Sequence, residues 1–264
     1  MIRALFLPPN PHMPDLNSPT PWLIVAAVFV LGGFVKGVVG LGLPTITMGL
    51  LSLAMVPAQA AALLVVPSLV TNLWQIGGAG VLALLRRLGG MLIGVCAGVA
   101  VGAGWLGGRA WAGIGLGVAL VVYAAIGLLH WRLRVRPAFE PWLGPLVGIA
   151  TGLVTAATGV FVIPAVPYLQ ALGLEKDALV RALGLSFLVS TIALGASLGL
   201  GGALQGPALV GSAFAVFPAL LGMGAGQWLR GRVEAEAFKT MFFSGLLLLG
   251  LYLALRGGLR LGHA

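Results

Sequence analysis

Lys36 is the one charged side chain that lies deep within an apolar stretch of this sequence. A buried ammonium group is costly unless it is paired or reaches water, so it indicates a functional site. Without a carboxylate nearby in sequence, its expected partners are a bound anion, backbone carbonyls or water. The alternative is that Lys36 snorkels from a helix end to the membrane interface. All six acidic residues lie in tails or loops, or beside them: Asp15, Glu140, Glu175, Asp177, Glu234 and Glu236.

Neutral polar residues occur at comparable places in the two halves of the chain. Hydroxyl and amide groups can donate hydrogen bonds to an oxyanion, although a single such residue more often bonds a backbone carbonyl or a neighbouring helix. As a group they indicate a polar cavity. The first half contributes Thr71, Asn72 and Gln75, and the second half contributes Thr151, Thr155, Thr158, Ser186, Ser190 and Thr191.

Two glycine-rich breaks interrupt apolar stretches that are too long for one membrane crossing. The first runs GFVKGVVGLGLP from Gly33 to Pro44, and the second runs GIATGLVTAATGVFVIP from Gly148 to Pro164. Glycine allows the backbone to leave helical geometry, and proline suits the first turn of the next helix. We therefore expect short helices whose N-terminal N–H groups point inward and bind an anion. The alternative is that these small residues only allow close helix packing.

The composition requires a membrane protein. Of the 264 residues, 59% are hydrophobic and only 8% are charged, whereas soluble domains carry about 25% charged residues. The net charge of +9 is expected in loops between spans and does not indicate nucleic-acid binding. The single cysteine, Cys96, excludes a disulfide framework and is expected to be a small buried hydrophobe. We expect no removed signal peptide, no metal and no cofactor.

The elements that position these residues form two similar halves. Six stretches have the length of a membrane span, which is about 20 residues, and a broken segment precedes each group of three. Pro44 precedes Thr71 by 27 residues, and Pro164 precedes Thr191 by the same number, which is typical of an internally duplicated transporter. We predict an all-α fold of two inverted repeats, residues 22–129 and 142–256, with a Pro-rich tail (1–21), a basic linker (130–141) and a C-terminal tail (257–264). The predicted spans are Ala58–Ile76, Leu88–Leu106, Trp111–Leu129, Ala178–Leu200, Pro207–Gly226 and Phe238–Leu255, and the broken segments are Trp22–Leu53 and Trp142–Leu172.

The distribution of basic residues predicts the topology. If each broken segment is a hairpin that enters and leaves on one face, ten basic residues share one side and four lie on the other. Full crossings would give eight against six, so the positive-inside rule favours the hairpins. Both termini are then expected outside. The ten are Arg86, Arg87, Arg132, Arg134, Arg136, Lys176, Arg181, Arg230, Arg232 and Lys239.

The chain resembles the TauE/SafE family of sulfite exporters and related anion permeases. The similar segments are GFVKGVVGLGLPTITMGLLSL and VVPSLVTNLWQ in the first half, and GIATGLVTAATGVFVIPAVPYLQALGL and LVRALGLSFLVST in the second. The resemblance covers the chain from Trp22 to about Leu255. It implies a prokaryotic plasma-membrane permease for sulfite, sulfonates or other small anions. By position, it implies a pore lined by Lys36, Gly37, Gly40, Gly42, Pro44, Thr151, Gly152, Thr155, Thr158, Gly159 and Pro164.

These observations predict a small-anion transporter that works by alternating access, with one repeat moving against the other. Without a carboxylate in the membrane, we expect uniport, or transport in which the anion carries its own proton. The expected partners are the anion and the lipid bilayer, and a homo-oligomer is compatible with the sequence. A membrane scaffold is the alternative, and the irregular breaks disfavour it. An intramembrane enzyme is excluded because Ser186 and Ser190 have no histidine or carboxylate to act as a base.

Overall fold

The computed structural model describes residues 19–78, 80–106, 110–129, 134–230, 232 and 235–262, and these form eleven α-helices, one short 3-10 helix and no strand. The prediction of an all-α membrane protein is confirmed, because seven helical segments have the length and apolar composition to cross a bilayer. Asp15, Arg132 and Glu234 lie outside the described residues, as do residues 1–18 of the predicted N-terminal tail. The α-helices are α1 (Pro19–Val39), α2 (Leu43–Leu51), α3 (Pro57–Ile76), α4 (Val81–Val101), α5 (Ala110–Leu128), α6 (Glu140–Thr158), α7 (Ala165–Ala171), α8 (Lys176–Leu200), α9 (Pro207–Phe214), α10 (Val216–Arg230) and α11 (Ala235–Gly262).

Both glycine–proline breaks interrupt the helices where the sequence predicts. After α1, Gly40 and Gly42 have φ of 82° and 115°, a region that favours glycine. Pro44 then lies in the first turn of α2. In the second half, Gly159 has φ of 73° after α6, and Pro164 directly precedes α7.

The short helix α2 lies at the centre of the protein. Every residue of α2 except Leu50 is buried. In α7, five residues are buried, among them Tyr168 and Leu169. The hairpins formed by α1 with α2 and by α6 with α7 therefore bring their short arms into the interior, where the longer helices enclose them.

Several helix boundaries differ from the prediction; α11, for example, runs from Ala235 to Gly262 instead of from Phe238 to Leu255. The predicted span from Leu88 begins instead at Val81, so Arg86 and Arg87 lie within the first turns of α4 rather than in a loop. No helix-breaking residue separates Val81 from Leu88, and long basic side chains can extend from a helix end toward the interface. Arg87 does so, because it forms an ion pair with Glu140 at 2.7 Å.

The predicted span Pro207–Gly226 consists of two helices, α9 and α10, with a turn at Ala215. Pro218 explains this interruption. Its ring would clash with the carbonyl of the residue four positions earlier, Phe214, and its nitrogen has no hydrogen to donate. Helix α9 accordingly ends at Phe214.

Glycines bring two pairs of helices into backbone contact. A Cβ on Gly37 in α1 would lie 2.3 Å from the carbonyl oxygen of Met223 in α10, and a Cβ on Gly226 would lie 2.1 Å from that of Phe34. Helices α4 and α6 repeat this arrangement, since a Cβ on Gly152 would lie 2.3 Å from the carbonyl oxygen of Val95. All four helices carry glycines four residues apart, a spacing typical of close helix association in membranes: Gly33 and Gly37, Gly94 and Gly98, Gly148 and Gly152, Gly222 and Gly226.

These contacts join the two halves of the chain. Helix α1 runs parallel to α10, and α4 runs parallel to α6, as the order of the contacting residues requires. The largest helix–helix interfaces are α1 with α10, α4 with α6 and α5 with α11. Each of the three joins a helix of the first half to one of the second.

Cys96 is exposed on α4, so the expectation that it is buried is wrong. In a membrane protein an apolar residue on the outer surface of a helix is stable against lipid, and burial in protein is not required.

Candidate functional site

Lys36 lies in the last turn of α1 and is only 3% exposed. Its Nζ donates hydrogen bonds to Oγ1 of Thr71, at 3.0 Å, and to Oδ1 of Asn72. Both acceptors are neutral and belong to α3. Among the described residues no carboxylate forms an ion pair with Lys36. The cationic side chain is therefore enclosed by neutral groups.

Thr71 in α3 accepts a hydrogen bond from Lys36 while its own hydroxyl donates within α3. Pro67 lies within the helix and cannot donate a backbone hydrogen bond. The Thr71 hydroxyl donates to the Pro67 carbonyl at 2.8 Å, which leaves the Thr71 oxygen as an acceptor for Lys36. Lys36 and Thr71 are both in the sequence, but their contact depends on α1 and α3 approaching each other at this point.

Ser212 of α9 supplies hydrogen bonds to backbone groups of α3 near Pro67, which interrupts the hydrogen bonding of that helix. Its hydroxyl donates to the carbonyl of Leu63 at 2.9 Å, which is the group that Pro67 leaves without a partner. It also accepts the N–H of Val66 at 3.0 Å. Neighbouring hydroxyls commonly satisfy the backbone groups that a proline frees in a membrane helix. Sequence reasoning missed Ser212, because nothing in its surroundings relates it to Pro67.

Asn72 connects this cluster to the second half of the chain. Its Nδ2 donates to Oγ1 of Thr191 in α8 at 3.5 Å, and the Thr191 hydroxyl donates to the carbonyl of Phe187 at 2.6 Å. Thr71 and Thr191 are the residues that follow Pro44 and Pro164 at equal spacing. The structure brings both of them to the same hydrogen-bond network around Asn72.

Gln75 links the first break to α8. Its Nε2 donates to the carbonyls of Gly40, at 3.1 Å, and of Val180, at 3.3 Å. Its Oε1 is buried and has no hydrogen-bond partner among the described residues. Ser68, one turn before Asn72, also has a buried hydroxyl without such a partner. The spacing of Ser68, Thr71, Asn72 and Gln75 in α3 is a signal that sequence reasoning used only in part, because it omitted Ser68.

The residues of the second break have different partners. The hydroxyls of Thr151, Thr155 and Thr158 donate to carbonyls four residues earlier in α6, each at 2.7 Å. Thr158 also accepts the N–H of Val160 at 3.1 Å. No described hydrogen bond connects these three threonines to Lys36, Thr71 or Asn72.

The two predicted serines are buried in α8. Ser190 donates to the carbonyl of Ser186 at 2.9 Å. The hydroxyl of Ser186 has no partner among the described residues. Gly159 approaches α2, since a Cβ on Gly159 would lie 2.6 Å from Cε of Met48. The second break therefore contacts the short helix that follows the first break.

Comparison with protein families identifies the chain. The family model described as Sulfite exporter TauE/SafE matches residues 24–253, which is nearly the whole chain. The protein belongs to the TauE/SafE family. No curated protein and no solved structure matches it.

The TauE/SafE family consists of membrane transporters of the sulfite or anion exporter type, and the network around Lys36 contains groups suited to an anion. An ammonium group, a side-chain amide and several hydroxyls can bind oxyanion oxygens. Among the described residues there is no cluster of three or more histidine, cysteine, aspartate or glutamate side chains that would hold a metal ion.

Gly37 and Gly152 contribute to helix packing in this TauE/SafE protein, through their contacts with α10 and α4. Gly40 and Gly42 have the positive φ angles that form the first break. Pro44 lies in the first turn of α2, which has no side-chain cap. A pore lined by these residues and by Pro164 stays a prediction.

Proposed function

We propose that this protein transports a small anion of the sulfur oxyanion or organosulfonate class, and that Lys36 binds this anion. The observation that carries the proposal is the burial of Lys36 among neutral partners, Thr71 and Asn72. A buried cation without a carboxylate leaves a net positive charge in a medium of low dielectric constant, and a bound anion would neutralise it.

The neutral groups around Lys36 support a substrate with several acceptor oxygens. Thr71 and Asn72 contact Lys36, and Ser68, one turn before Asn72 in α3, has a buried hydroxyl without a described partner. A sulfonate or sulfite group carries three oxygens on one sulfur, and so accepts several hydrogen bonds at once. A single ammonium group together with neutral donors is suited to one negative charge. Uniport, or movement of the anion with its own proton, agrees with this charge balance.

We further propose that the two halves are inverted repeats and that transport follows alternating access. The paired interfaces support the first point: exchanging the halves converts α1 with α10 into α6 with α4, and leaves α3 with α8 and α5 with α11 unchanged. The same interfaces argue against movement of one whole repeat against the other, because close glycine contacts join α1 to α10 and α4 to α6. We therefore propose moving bodies that each contain helices of both halves.

On this proposal, one body contains α1, α2, α3, α9 and α10, and the other contains α4, α6, α7 and α8. Their contact along α3 and α8 includes the hydrogen bond from Asn72 to Thr191. The anion would thus bind where the two bodies meet. For membrane orientation we propose the arrangement that the basic residues favour, in a prokaryotic plasma membrane with both termini outside.

The experiment is transport of radiolabelled sulfite and methanesulfonate by purified protein in liposomes. The Lys36→Met variant should lose flux of the transported anion, because the charge that compensates the anion is gone. Lys176→Met is the matched control, since Lys176 is exposed at the start of α8, and it should retain wild-type flux. Both variants should elute as folded protein in detergent. Unchanged flux in Lys36→Met would contradict the role of Lys36, and wild-type protein without anion flux would favour a scaffold.

A further inference from the structure

Arg181 occupies an unusual position one turn inside the N-terminal end of α8. It is half-buried, and its Nε is buried without a hydrogen-bond partner among the described residues. Asp177 lies four residues earlier in the same helix, a spacing at which ion pairs form. The described ion pairs nevertheless do not include Arg181. The guanidinium is therefore a cation that the described part of the protein does not neutralise.

The Arg181 side chain lies against the connection between α3 and α4. A Cβ on Gly78 would lie 3.1 Å from its Nη1 and 3.8 Å from its Cδ. Gly78 has φ of 125° and lies two residues beyond the end of α3. Arg181 thus lies at the end of the α3–α8 interface, where α3 ends and α8 begins. In the predicted topology most of the basic residues lie on this side.

The same interface leads from Arg181 to Lys36. Gln75 follows Arg181 along it, because the Gln75 amide donates to the Val180 carbonyl and its Cβ lies 3.2 Å from where a Cβ on Gly184 would be. The pair formed by Asn72 and Thr191 comes next, and Lys36 contacts Asn72. Thr191 lies ten residues beyond Arg181 in α8, which is about 15 Å along the helix axis.

We propose that Arg181 is a second anion-binding residue, which captures the transported anion at the mouth of the α3–α8 interface before the anion reaches Lys36. This inference rests on the proposed function and adds the path by which the anion reaches Lys36. A guanidinium presents several N–H donors in one plane and binds the oxygens of sulfonate-like groups through paired hydrogen bonds. A partly buried cation at a mouth also raises the local concentration of anions.

Gln75 separates the two positions. Its amide bridges the carbonyl of Gly40, in the first break, and that of Val180, beside Arg181. An anion that passes from Arg181 to Lys36 displaces this bridge, and the Gln75 N–H groups then become donors to the anion. The amide thus closes the interface in the absence of substrate.

The test measures KM and kcat for sulfite and methanesulfonate transport in liposomes. Arg181→Gln should raise KM about tenfold, because a field that focuses anions into a cleft raises their capture by about tenfold or more, while kcat stays within about twofold. Arg181→Lys should restore most of the difference, since it retains the charge. Lys176→Gln removes a charge from the exposed surface one turn away, and its KM should equal that of wild type.

A second readout separates capture from a structural role. Increasing ionic strength screens the attraction between the anion and an accessible cation, so the wild-type KM should rise severalfold between low and high salt. The rise should be retained in Arg181→Lys and lost in Arg181→Gln. The wild-type measurement needs no variant, so a KM that does not change with salt contradicts capture by Arg181 even if Arg181→Gln does not fold.

The outcomes distinguish this inference from the proposed function. A wild-type KM that is independent of salt, or an Arg181→Gln KM equal to that of Lys176→Gln, overturns the capture role of Arg181. If Lys36→Met is inactive in the same experiments, the proposed function still holds without a capture role for Arg181. Full flux in Lys36→Met contradicts the proposed function instead.

Discussion

The two glycine–proline breaks have the same plan but different chemistry. After the first break, side chains from α1 and α3 meet at Lys36, and Gln75 binds the carbonyl of Gly40 within the break itself. At the second break, Thr151, Thr155 and Thr158 use their hydroxyls within their own helix. The first break thus contains a charged residue whose hydrogen-bond partners lie in another helix, whereas the threonine hydroxyls of the second break are satisfied within α6. If the halves are the repeats proposed above, they share a backbone plan, while the charged group belongs to one of them.

Substitution of a glycine at a close helix–helix contact should have the same effect in both halves. Gly37→Leu and Gly152→Leu should each prevent stable folding, with a loss of about 4 kcal/mol or more, because each new side chain would meet a backbone carbonyl. The measurement is the yield of monodisperse protein in detergent and its thermal midpoint.

Gly224→Leu is the control for this comparison, because a Cβ on Gly224 of α10 meets no atom within 4 Å. It should fold like wild type. Normal folding of either Gly37→Leu or Gly152→Leu would show that the glycine contacts at that interface are not required.

The halves should respond differently where their polar groups are tested. Asn72→Leu should lower kcat/KM for the transported anion by about ten- to a hundredfold, because hydrogen bonds to charged groups contribute about 1.5–3 kcal/mol. Thr151→Val, at the position of the second half that corresponds to Lys36, should stay within about twofold of wild type, since its hydroxyl bonds only the carbonyl of Val147 among the described residues.

Transport kinetics in liposomes measure both variants side by side. Equal losses in Asn72→Leu and Thr151→Val would mean that the second break contributes to the anion site as much as the first does. That result would contradict the expectation that only the first break contributes polar groups to the anion site.

A smaller difference should appear between the helices that follow the breaks. Helix α3 contains Pro67 and depends on Ser212 for two backbone hydrogen bonds. Ser212→Ala should therefore lower stability by about 1–2 kcal/mol, which corresponds to a fall of a few degrees in the thermal midpoint. Ser190→Ala in α8 removes a hydroxyl that bonds its own helix, and its midpoint should change less. A larger fall in Ser190→Ala would reverse the comparison.

Much of this fold follows from residue types alone. The apolar stretches predict the helices, and glycine with proline predicts where α1 and α6 end. Lys36 stands out because a charge in an apolar stretch is rare. The equal spacing from Pro44 to Thr71 and from Pro164 to Thr191 singled out Thr71 and Thr191, which belong to one hydrogen-bond network.

The remaining features depend on which helices face each other. Periodicity does not show that α1 packs against α10, although glycines four residues apart in both helices would have suggested close pairs. The threonines of α6 resemble a polar lining in the sequence, but each hydroxyl has a carbonyl of its own helix within reach. Arg181 counts in the sequence as one of ten basic residues near helix ends, and only its position against Gly78 distinguishes it.

The glycine-mediated pairing of α1 with α10 has a consequence for biosynthesis. Gly37 leaves the ribosome well before Met223, so α1 enters the membrane while its tightest partner has not yet been made. Until α10 arrives, the bare backbone along Gly33 and Gly37 faces lipid or another occupant. Helix α4, which precedes α6, waits for a much shorter time. A late step of assembly is therefore the insertion of α10 against the first helix, and a chain truncated before α10 leaves α1 without this partner.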